Sequence, residues 1–176
     1  ISNLLDVNKI ESGEFELKLS HLDLQPLLKK VVSTYSERAQ AKQLKIQVSS
    51  MPALVYLDEN LLQEVLENLI SNAIKYSPPE HTIYISLSIT DADKVRCEIQ
   101  DEGQGLSAAD QAKLFGKFTR LSAKPTGGEH STGLGLFIVK KLVTALHGEV
   151  WCESELGQGA RFIVEFNRDR TLNNPV

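Results

Sequence analysis

The order of apolar and polar positions along the chain predicts three long amphipathic helices. The first runs from Leu24 to about Lys42, and the second occupies Asp58 to Tyr76. The third follows a glycine-containing start at which Ser131 and Thr132 could act as caps. Its apolar positions are Leu136, Val139, Leu142, Val143 and Leu146. Each helix therefore has one side to bury against another layer of the protein.

Strict alternation of apolar and polar residues predicts strands between and after these helices. The segments are 15–19, 44–48, 55–57, 83–89, 95–99, 150–155 and 161–166. A shorter helix is expected over Ser107–Phe118, where Ser107 and Asp110 resemble a capping box. Helices and strands mixed in this order indicate a layered α/β domain.

Three segments outside these elements have compositions that predict how each is structured. The polar stretch 122–130 contains one proline and two glycines, so we expect a mobile loop that could act as a lid over the third helix. The tail after Asn167 is polar and is expected to fray. Residues 1–12 have helical spacing and end at Gly13, which is typical of the last turns of a helix. Because the chain opens with Ile1, we expect that this helix begins upstream in a longer protein.

Composition narrows the classes of function. A length of 176 residues suits one domain, and the formal net charge of −4 gives no reason to expect nucleic acid or an acidic membrane as a partner. No apolar run approaches the length of a membrane span. We expect a cytoplasmic location, which reduced cysteines would suit, and a membrane anchor elsewhere in the parent protein stays open. Cys97 and Cys152 fall in predicted strands and are expected to be buried, reduced thiols.

The second helix carries a polar face made of Glu64, Asn68, Asn72 and Lys75. These side chains lie within about 80° of arc, opposite the apolar side. One interpretation is an ordinary solvated surface. Asparagine, however, is a mediocre helix former, and exposed helical faces are usually built from Glu, Lys or Gln. A carboxamide oxygen can bind Mg²⁺ and a lysine can bind phosphate, so the alternative is a site for a metal-bound phosphate.

Asp101 continues the buried row of the strand before it and leads into Gly103 and Gly105. An inward carboxylate is unfavourable unless a hydrogen-bond donor reaches it. Two interpretations account for it. Asp101 could cap the glycine-rich turn by accepting from backbone N–H groups. It could instead accept a hydrogen bond from the exocyclic amine of adenine at the bottom of a pocket.

Gly133 and Gly135 stand at the start of the third helix. Glycine lets another group approach the backbone closely, and the free N–H groups of a helix start favour an anion. The phosphate tail of ATP is the anion that we expect here. Glycine is also common at helix starts that bind nothing, so this stretch alone leaves both interpretations open.

Taken in chain order, five motifs resemble the catalytic, ATP-binding domain of sensor histidine kinases, which belongs to the gyrase and histidine-kinase ATPase superfamily. The motifs are Asn68-x-x-x-Asn72-Ala73-x-Lys75-Tyr76, Asp101-x-Gly103-x-Gly105, Phe115-x-x-Phe118, Thr132-Gly133-Leu134-Gly135-Leu136 and Gly157-x-Gly159. The opening Leu4-Leu5-Asp6-x-x-Lys9-Ile10-Glu11-x-Gly13 resembles the end of the second helix of the dimerisation domain in the same family.

The resemblance implies an α/β (α+β) two-layer sandwich. Its mixed, mainly antiparallel sheet would have three main helices on one face and a flexible ATP lid. It also implies three parts of the chain: residues 1–13 as the end of a helix of the dimerisation and phosphoacceptor domain, residues 14–167 as the catalytic ATP-binding domain, and residues 168–176 as a frayed tail.

A role is implied for each matching residue. Asn72 resembles the Mg²⁺ ligand, and Asn68 and Lys75 resemble catalytic residues that contact the polyphosphate. Arg120 resembles a catalytic lid arginine that neutralises the γ-phosphate, and Asp101 resembles the carboxylate that recognises adenine. The remaining ATP-binding residues would be Tyr76, Gly103, Gly105, Leu106, Phe118, Thr132, Gly133, Leu134, Gly135 and Leu136.

The activity implied by the resemblance is transfer of the γ-phosphoryl of Mg-ATP to a histidine of the dimerisation domain, with a response regulator receiver domain as a further partner. None of His21, His81, His130 and His147 has the sequence context of the acceptor in this family. The acceptor is therefore expected upstream. We expect this chain to bind ATP as a monomer cut from a homodimeric parent, without phosphorylating itself. The alternatives are a serine kinase of the same fold and a docking module that binds nucleotide without transferring phosphate.

One position distinguishes transfer from hydrolysis. Related gyrase-like ATPases place a glutamate one turn before the metal-binding asparagine, where it activates water. This chain has Asn68 there. An amide cannot take a proton at neutral pH, so hydrolysis lacks its base while transfer to a better nucleophile remains possible.

Overall fold

The computed structural model describes residues 8–9, 12–14, 16–119, 121, 124–127 and 133–171. Its elements alternate between strands and helices in the order that the sequence predicts. They are β1 (Leu19–Asp23), α1 (Leu24–Ala41), β2 (Lys45–Ser49), β3 (Leu54–Asp58), α2 (Glu59–Tyr76), β4 (Thr82–Ile89), β5 (Lys94–Gln100), α3 (Ala108–Ala112), α4 (Gly135–Ala145), β6 (Glu149–Ser154) and β7 (Ala160–Asn167).

The strands form two separate sheets. Five of them lie in the order β2-β4-β5-β7-β6, with β2 parallel to β4 and the other neighbours antiparallel. β1 and β3 pair antiparallel with each other. The expected mixed, mainly antiparallel sheet is confirmed. The second, smaller sheet was not foreseen, because alternation identifies strands without saying which of them pair.

The two longest helices begin at aspartates that also bind other parts of the chain. Asp23 caps α1, and its Oδ1 accepts a further hydrogen bond from the backbone N of Ala53, at 2.9 Å. Asp58 caps α2 with Oδ1, and its Oδ2 accepts from the backbone N of Lys18, at 3.0 Å. Each cap therefore satisfies free N–H groups of a helix start and attaches a neighbouring segment to it.

Helix α2 lies at the centre of the helical layer and contacts α1, α4 and β5. Its apolar side is fully buried at Leu62, Val65, Leu66, Leu69 and Ile70. Burial of each such side chain stabilises the fold by roughly 1.5–3 kcal/mol. The buried row of the sheet comes from alternate residues of β4, β5 and β7, namely Ile83, Ile85, Leu87, Val95, Cys97, Ile99, Phe162, Val164 and Phe166. This packing fixes the rotation of α2, and so the direction of its polar face.

Three predicted boundaries are wrong. The strand expected at 15–19 is found at Leu19–Asp23, because pairing with the five residues of β3 sets its limits. The helix expected over Ser107–Phe118 spans only Ala108–Ala112. Its predicted cap is confirmed, since Ser107 Oγ accepts from the backbone N of Asp110 at 3.1 Å.

The third long helix begins at Gly135, and its N-cap residue Leu134 makes no side-chain cap bond. The proposed caps Ser131 and Thr132 lie outside the described residues.

The two ends of the described chain differ from each other. Asn8, Lys9 and Ser12 are helical, and Gly13 follows with φ +70°. At the other end, residues 168–171 are attached to the domain rather than frayed. The backbone N of Asp169 donates to Leu54 O at 2.8 Å, and this residue is buried. Residues 172–176 lie outside the description.

Two further expectations concern the cysteines and the membrane. Both cysteines are free thiols; Cys97 is buried, whereas Cys152 is only half-buried. Within the part of the chain that the structure describes, no helix has the length and apolarity that crossing a membrane requires.

Candidate functional site

Asp101 lies just after β5 and is 3% exposed. Its Oδ1 accepts hydrogen bonds from the backbone N of Gly103 at 2.9 Å and of Ala160 at 3.2 Å. The capping interpretation is thus realised in the structure. Both bonds end on Oδ1, and among the described residues none donates to Oδ2. One carboxylate oxygen therefore holds the turn while the other can accept from a ligand.

Burial raises the pKa of Asp101 above its ordinary value, and the two backbone hydrogen bonds oppose that rise. Cys152 lies near this carboxylate. The pKa of its thiol is raised to about 12, first by burial and then by the charges of Asp101 and Glu153. The thiol is thus protonated at neutral pH, and the floor of the site is poorly solvated.

The glycine-rich turn after Asp101 is packed against two backbone segments. A Cβ atom on Gly103 would lie 2.4 Å from the carbonyl oxygen of Tyr76, at the end of α2. A Cβ atom on Gly105 would lie 2.1 Å from the carbonyl oxygen of Glu155, and Gly105 has φ +74°. Because real Cβ contacts are never this short, both positions require glycine. The turn therefore joins the end of α2 to the β6–β7 connection.

The polar face of α2 points toward the start of α4. Asn68, Asn72 and Lys75 are all half-buried, so this face is not an ordinary solvated surface. Asn68 Nδ2 donates to the carbonyl of Glu64 at 2.8 Å. A Cβ atom on Gly135 would lie 3.1 Å from Asn68 Oδ1. The structure thus brings the amide-bearing face of one helix to the glycine start of another.

The glutamate nearest to Asn68 in sequence does not face this site. Glu67 accepts a hydrogen bond from Gln63 Nε2 at 2.9 Å. Its charge contributes, after burial, to the raised pKa of Tyr35 on α1. Glu67 therefore faces α1, as its position about 100° round the helix from Asn68 predicts.

The residues on either side of the predicted lid meet at its base. The backbone N of Phe118 donates to the carbonyl of Gly133 at 3.0 Å, and Phe118 has φ +54°. Its side chain is 56% exposed, whereas Leu134 is buried and Leu136 is partly buried. Leu106, on the other side of the site, is also buried. Arg120 and Thr132 lie outside the described residues, so their roles stay predictions.

Sequence reasoning missed Ser154, which joins the segments around the turn after Asp101. Its Oγ donates to the carbonyl of Gly159 at 2.6 Å and accepts from the backbone N of Leu106 at 2.9 Å. Gln111 Nε2 donates to the carbonyls of both Leu106 and Ser154. These bonds join the turn after Asp101 to α3 and to β6. No sequence pattern indicates this role, because Leu106 and Gln111 lie more than 40 residues away from Ser154 along the chain.

The sequence and the fold of this chain are similar to those of known proteins. The family described as histidine kinase-, DNA gyrase B-, and HSP90-like ATPase matches residues 57–170, which include every predicted site residue. The chain belongs to this family. The match confirms the resemblance that the five motifs indicated, and the family members found as relatives are sensor kinases.

The adaptive-response sensory kinase SasA of Gloeothece citriformis is 35% identical over 164 residues, which cover 92% of this chain. The circadian input-output histidine kinase CikA of Synechococcus elongatus is 31% identical over 180 residues, covering the whole chain. A solved structure of full-length ShkA in complex with AMPPNP is 30% identical, with a TM-score of 0.81 over 94% of this chain. This structural similarity confirms the predicted fold class.

The chain spans only part of these proteins. It covers 41% of SasA, 24% of CikA and 34% of the ShkA chain.

Proposed function

We propose that this chain is the catalytic domain of a two-component sensor histidine kinase. It binds Mg-ATP and transfers the γ-phosphoryl group to a histidine of a dimerisation domain upstream in the parent protein. The observation that carries this proposal is the contact between the amide-bearing face of α2 and the glycine start of α4, at Asn68 and Gly135. The amides and the lysine on this face of α2 and the N–H groups at the start of α4 are groups of the kind that bind a triphosphate, which supports the proposal.

The two ends of the nucleotide would be held by different elements. Asp101 accepts from the exocyclic amine of adenine through Oδ2, while Oδ1 keeps its turn in place. Asn68 and Lys75 contact the polyphosphate from α2, and Gly135 allows the start of α4 to approach it. Arg120 acts on the γ-phosphate from the lid. Catalysis by these groups is chiefly positioning and charge neutralisation.

A magnesium ion fits the donor set at Asn72. Its amide oxygen is a hard, neutral ligand on a half-buried helical face, one turn from Asn68. Mg²⁺ is usually held by one or two protein oxygens together with phosphate oxygens and water, so a single amide suffices. When bound, the ion would neutralise charge on the phosphate oxygens.

Transfer is favoured over hydrolysis by the residue one turn before Asn72. Asn68 uses its amide nitrogen on the carbonyl of Glu64, and an amide cannot act as a general base. Glu67 is engaged with Gln63 on another side of the helix. A histidine nitrogen needs less activation than water, so the same site can phosphorylate a histidine. We propose a response regulator receiver domain as the next acceptor, in line with the sensor kinases among the relatives.

Calorimetric titration of ATP into the protein, with and without Mg²⁺, tests this function. We expect a Kd in the micromolar range, about −7 to −8 kcal/mol, with Mg²⁺ present. Asn72→Ala should remove the benefit of Mg²⁺. The matched control is Asn60→Ala, an exposed asparagine in the first turn of the same helix.

The outcomes separate the alternatives. Magnesium-assisted binding that is lost only in Asn72→Ala supports the kinase domain. No binding at millimolar ATP would contradict it and would favour the docking module. Equal losses in both asparagine variants would remove Asn72 from the metal site.

A further inference from the structure

Residues 124–127, the crossing segment, lie between two walls of the candidate site. On one side, the segment is bonded to the end of α2. The backbone N of Thr126 donates to the carbonyl of Lys75 at 2.9 Å, and Thr126 Oγ1 donates to the carbonyl of Ser77 at 2.7 Å. The hydroxyl also lies 3.3 Å from the carbonyl of Lys75.

On the other side, the crossing segment is bonded to the turn after Asp101. Gln104 Nε2 donates to the carbonyl of Lys124 at 3.0 Å. Gln104 stands between Gly103 and Gly105, and its own carbonyl accepts from the backbone N of Gly157 at 2.8 Å. The segment thus bridges α2 and this turn close to the point where Gly103 touches Tyr76.

The end of α2, to which Thr126 bonds, is held in place by further hydrogen bonds. Ser77 is fully buried, and its Oγ donates to the carbonyl of Ala73 at 2.7 Å. Lys42 Nζ donates to the carbonyls of Ile74 and Lys75, at 2.8 and 3.0 Å. The last carbonyls of a helix carry partial negative charge and lack partners within the helix, so they accept strongly. Thr126 itself is exposed, so its hydroxyl can be removed without disturbing the core.

We propose that Thr126 and Gln104 form a latch that holds the crossing segment across the junction of α2 and the adenine turn, and that this latch sets the rate of nucleotide release. The inference rests on the proposed ATP site. Both residues are positioning residues, since neither is placed on the reacting phosphates. Because the crossing segment bonds both to the end of α2 and to the turn after Asp101, a nucleotide held between these two walls would leave when the bonds open.

The test is stopped-flow release of a fluorescent N-methylanthraniloyl ADP, chased with excess ADP. Thr126→Val and Gln104→Ala should each release it about two- to tenfold faster, as expected for the loss of one ordinary hydrogen bond. The association rate should change less than the release rate, as is common within one binding site. Thr126→Ser keeps the hydroxyl and should restore slow release.

Two matched controls remove similar groups elsewhere. Thr144→Val deletes an exposed hydroxyl that donates to the carbonyl of Lys140, and Gln47→Ala shortens an exposed glutamine on β2. Neither should change the release rate. Hydrogen exchange at the backbone N–H of Thr126, measured without nucleotide, gives an independent signal. In the crossing segment, Gln104 bonds to Lys124 and not to Thr126. If the two bonds hold the segment together, the protection of the Thr126 N–H should nevertheless fall in Gln104→Ala.

The results distinguish failure of the latch from failure of the ATP site. If wild-type protein binds the labelled ADP and the two latch variants release it at the wild-type rate, the latch is refuted and the ATP site stands. Unchanged protection of the Thr126 amide in Gln104→Ala also refutes it. If wild-type protein does not bind the probe, the proposed function fails and the release role fails with it.

Discussion

The two oxygens of the Asp101 carboxylate differ in their hydrogen bonds. Oδ1 accepts from Gly103 and Ala160, whereas Oδ2 takes no hydrogen bond from the described residues. A buried carboxylate with both oxygens satisfied would be a purely structural group. The division explains why the two interpretations of this residue in the sequence do not exclude each other.

Asp101→Asn separates these two roles. The amide oxygen can still accept from both backbone N–H groups, so the melting temperature should change little. The amide nitrogen would face the exocyclic amine of adenine, donor against donor, and ADP should bind roughly ten- to a hundredfold more weakly, about 1.5–3 kcal/mol. Calorimetry with ADP and differential scanning calorimetry check the two effects.

Inosine diphosphate is the control for this substitution. Its base has a carbonyl in place of the exocyclic amine, so the wild-type preference for ADP should disappear in Asp101→Asn. A variant that loses melting temperature and affinity for both nucleotides equally would contradict the adenine-recognising role.

At the scale of elements, two glycines join neighbouring segments for different reasons. Gly105 has a positive φ and a backbone carbonyl where its Cβ would lie, so it is required by the fold. Gly135 is the first residue of α4, and the nearest atom to its Cβ position is the side-chain oxygen of Asn68. A side chain can move where a backbone cannot. We therefore predict that the glycine of α4 serves the proposed ATP site rather than the stability of the fold.

Alanine at each glycine should give opposite results. Gly105→Ala should lower the free energy of unfolding by at least about 1–2 kcal/mol, because a left-handed backbone and a collision of the new Cβ atom are both unfavourable.

Gly135→Ala should leave the free energy of unfolding unchanged or raise it by up to about 1 kcal/mol, since alanine is the better helix former. The same Gly135 variant should bind ATP more weakly, because its methyl group displaces the Asn68 amide. Urea unfolding and ATP titration measure the two properties; a strong loss of stability in Gly135→Ala would argue against this division.

At the scale of the whole molecule, residues 168–171 connect the small sheet to the large one. Asp169 Oδ2 pairs with His21 Nδ1 of β1 at 2.5 Å, and Thr171 donates to Asp169 Oδ1. Arg168 and Arg170 both pair with Asp93, in the connection between β4 and β5.

The pH dependence of stability should report this connection. The hydrogen bonds from Thr171 and His21 lower the pKa of Asp169 to about 2, below its ordinary value of 3.8. The ionised carboxylate therefore stabilises the folded state above about pH 4, and this contribution is lost as the pH falls toward 2. Asp169→Asn should be less stable than wild type at pH 7, and the difference should shrink at pH 3.

Urea unfolding at the two pH values measures this difference. Asp91→Asn, at an exposed aspartate, is the control and should show little difference at either pH. A deficit in Asp169→Asn that is the same at pH 7 and pH 3 would mean that the carboxylate charge does not contribute.

The distribution of charge over the molecule also belongs to this scale. Residues 111–148 contain six Lys or Arg and one Glu, a net charge of +5, so the rest of the chain carries −9. The net charge of −4 for the whole chain therefore does not reveal this basic segment, which includes the predicted lid and the start of α4. If the polyphosphate binds at the start of α4 as proposed, this positive segment would attract an anionic nucleotide.

The sequence by itself determined the order of the elements, the limits of most of them, and the family to which the chain belongs. Helical periodicity placed α1 and α2 to within a residue, and alternation placed β4 and β5, because buried faces repeat at the period of each element. The motif residues on α2 and after β5 were recognised for the same reason: each lies within a short stretch with its own spacing.

Only the tertiary structure decided which distant segments meet. The contact of Asn68 with Gly135, the bond from Leu106 to Ser154, the latch at Thr126 and the attachment of Asp169 each join residues far apart in the chain. The limits of β1 and α3 were likewise set by their partners rather than by local pattern. Local spacing carries no information about such contacts, because they are fixed by the packing of whole elements on a common core.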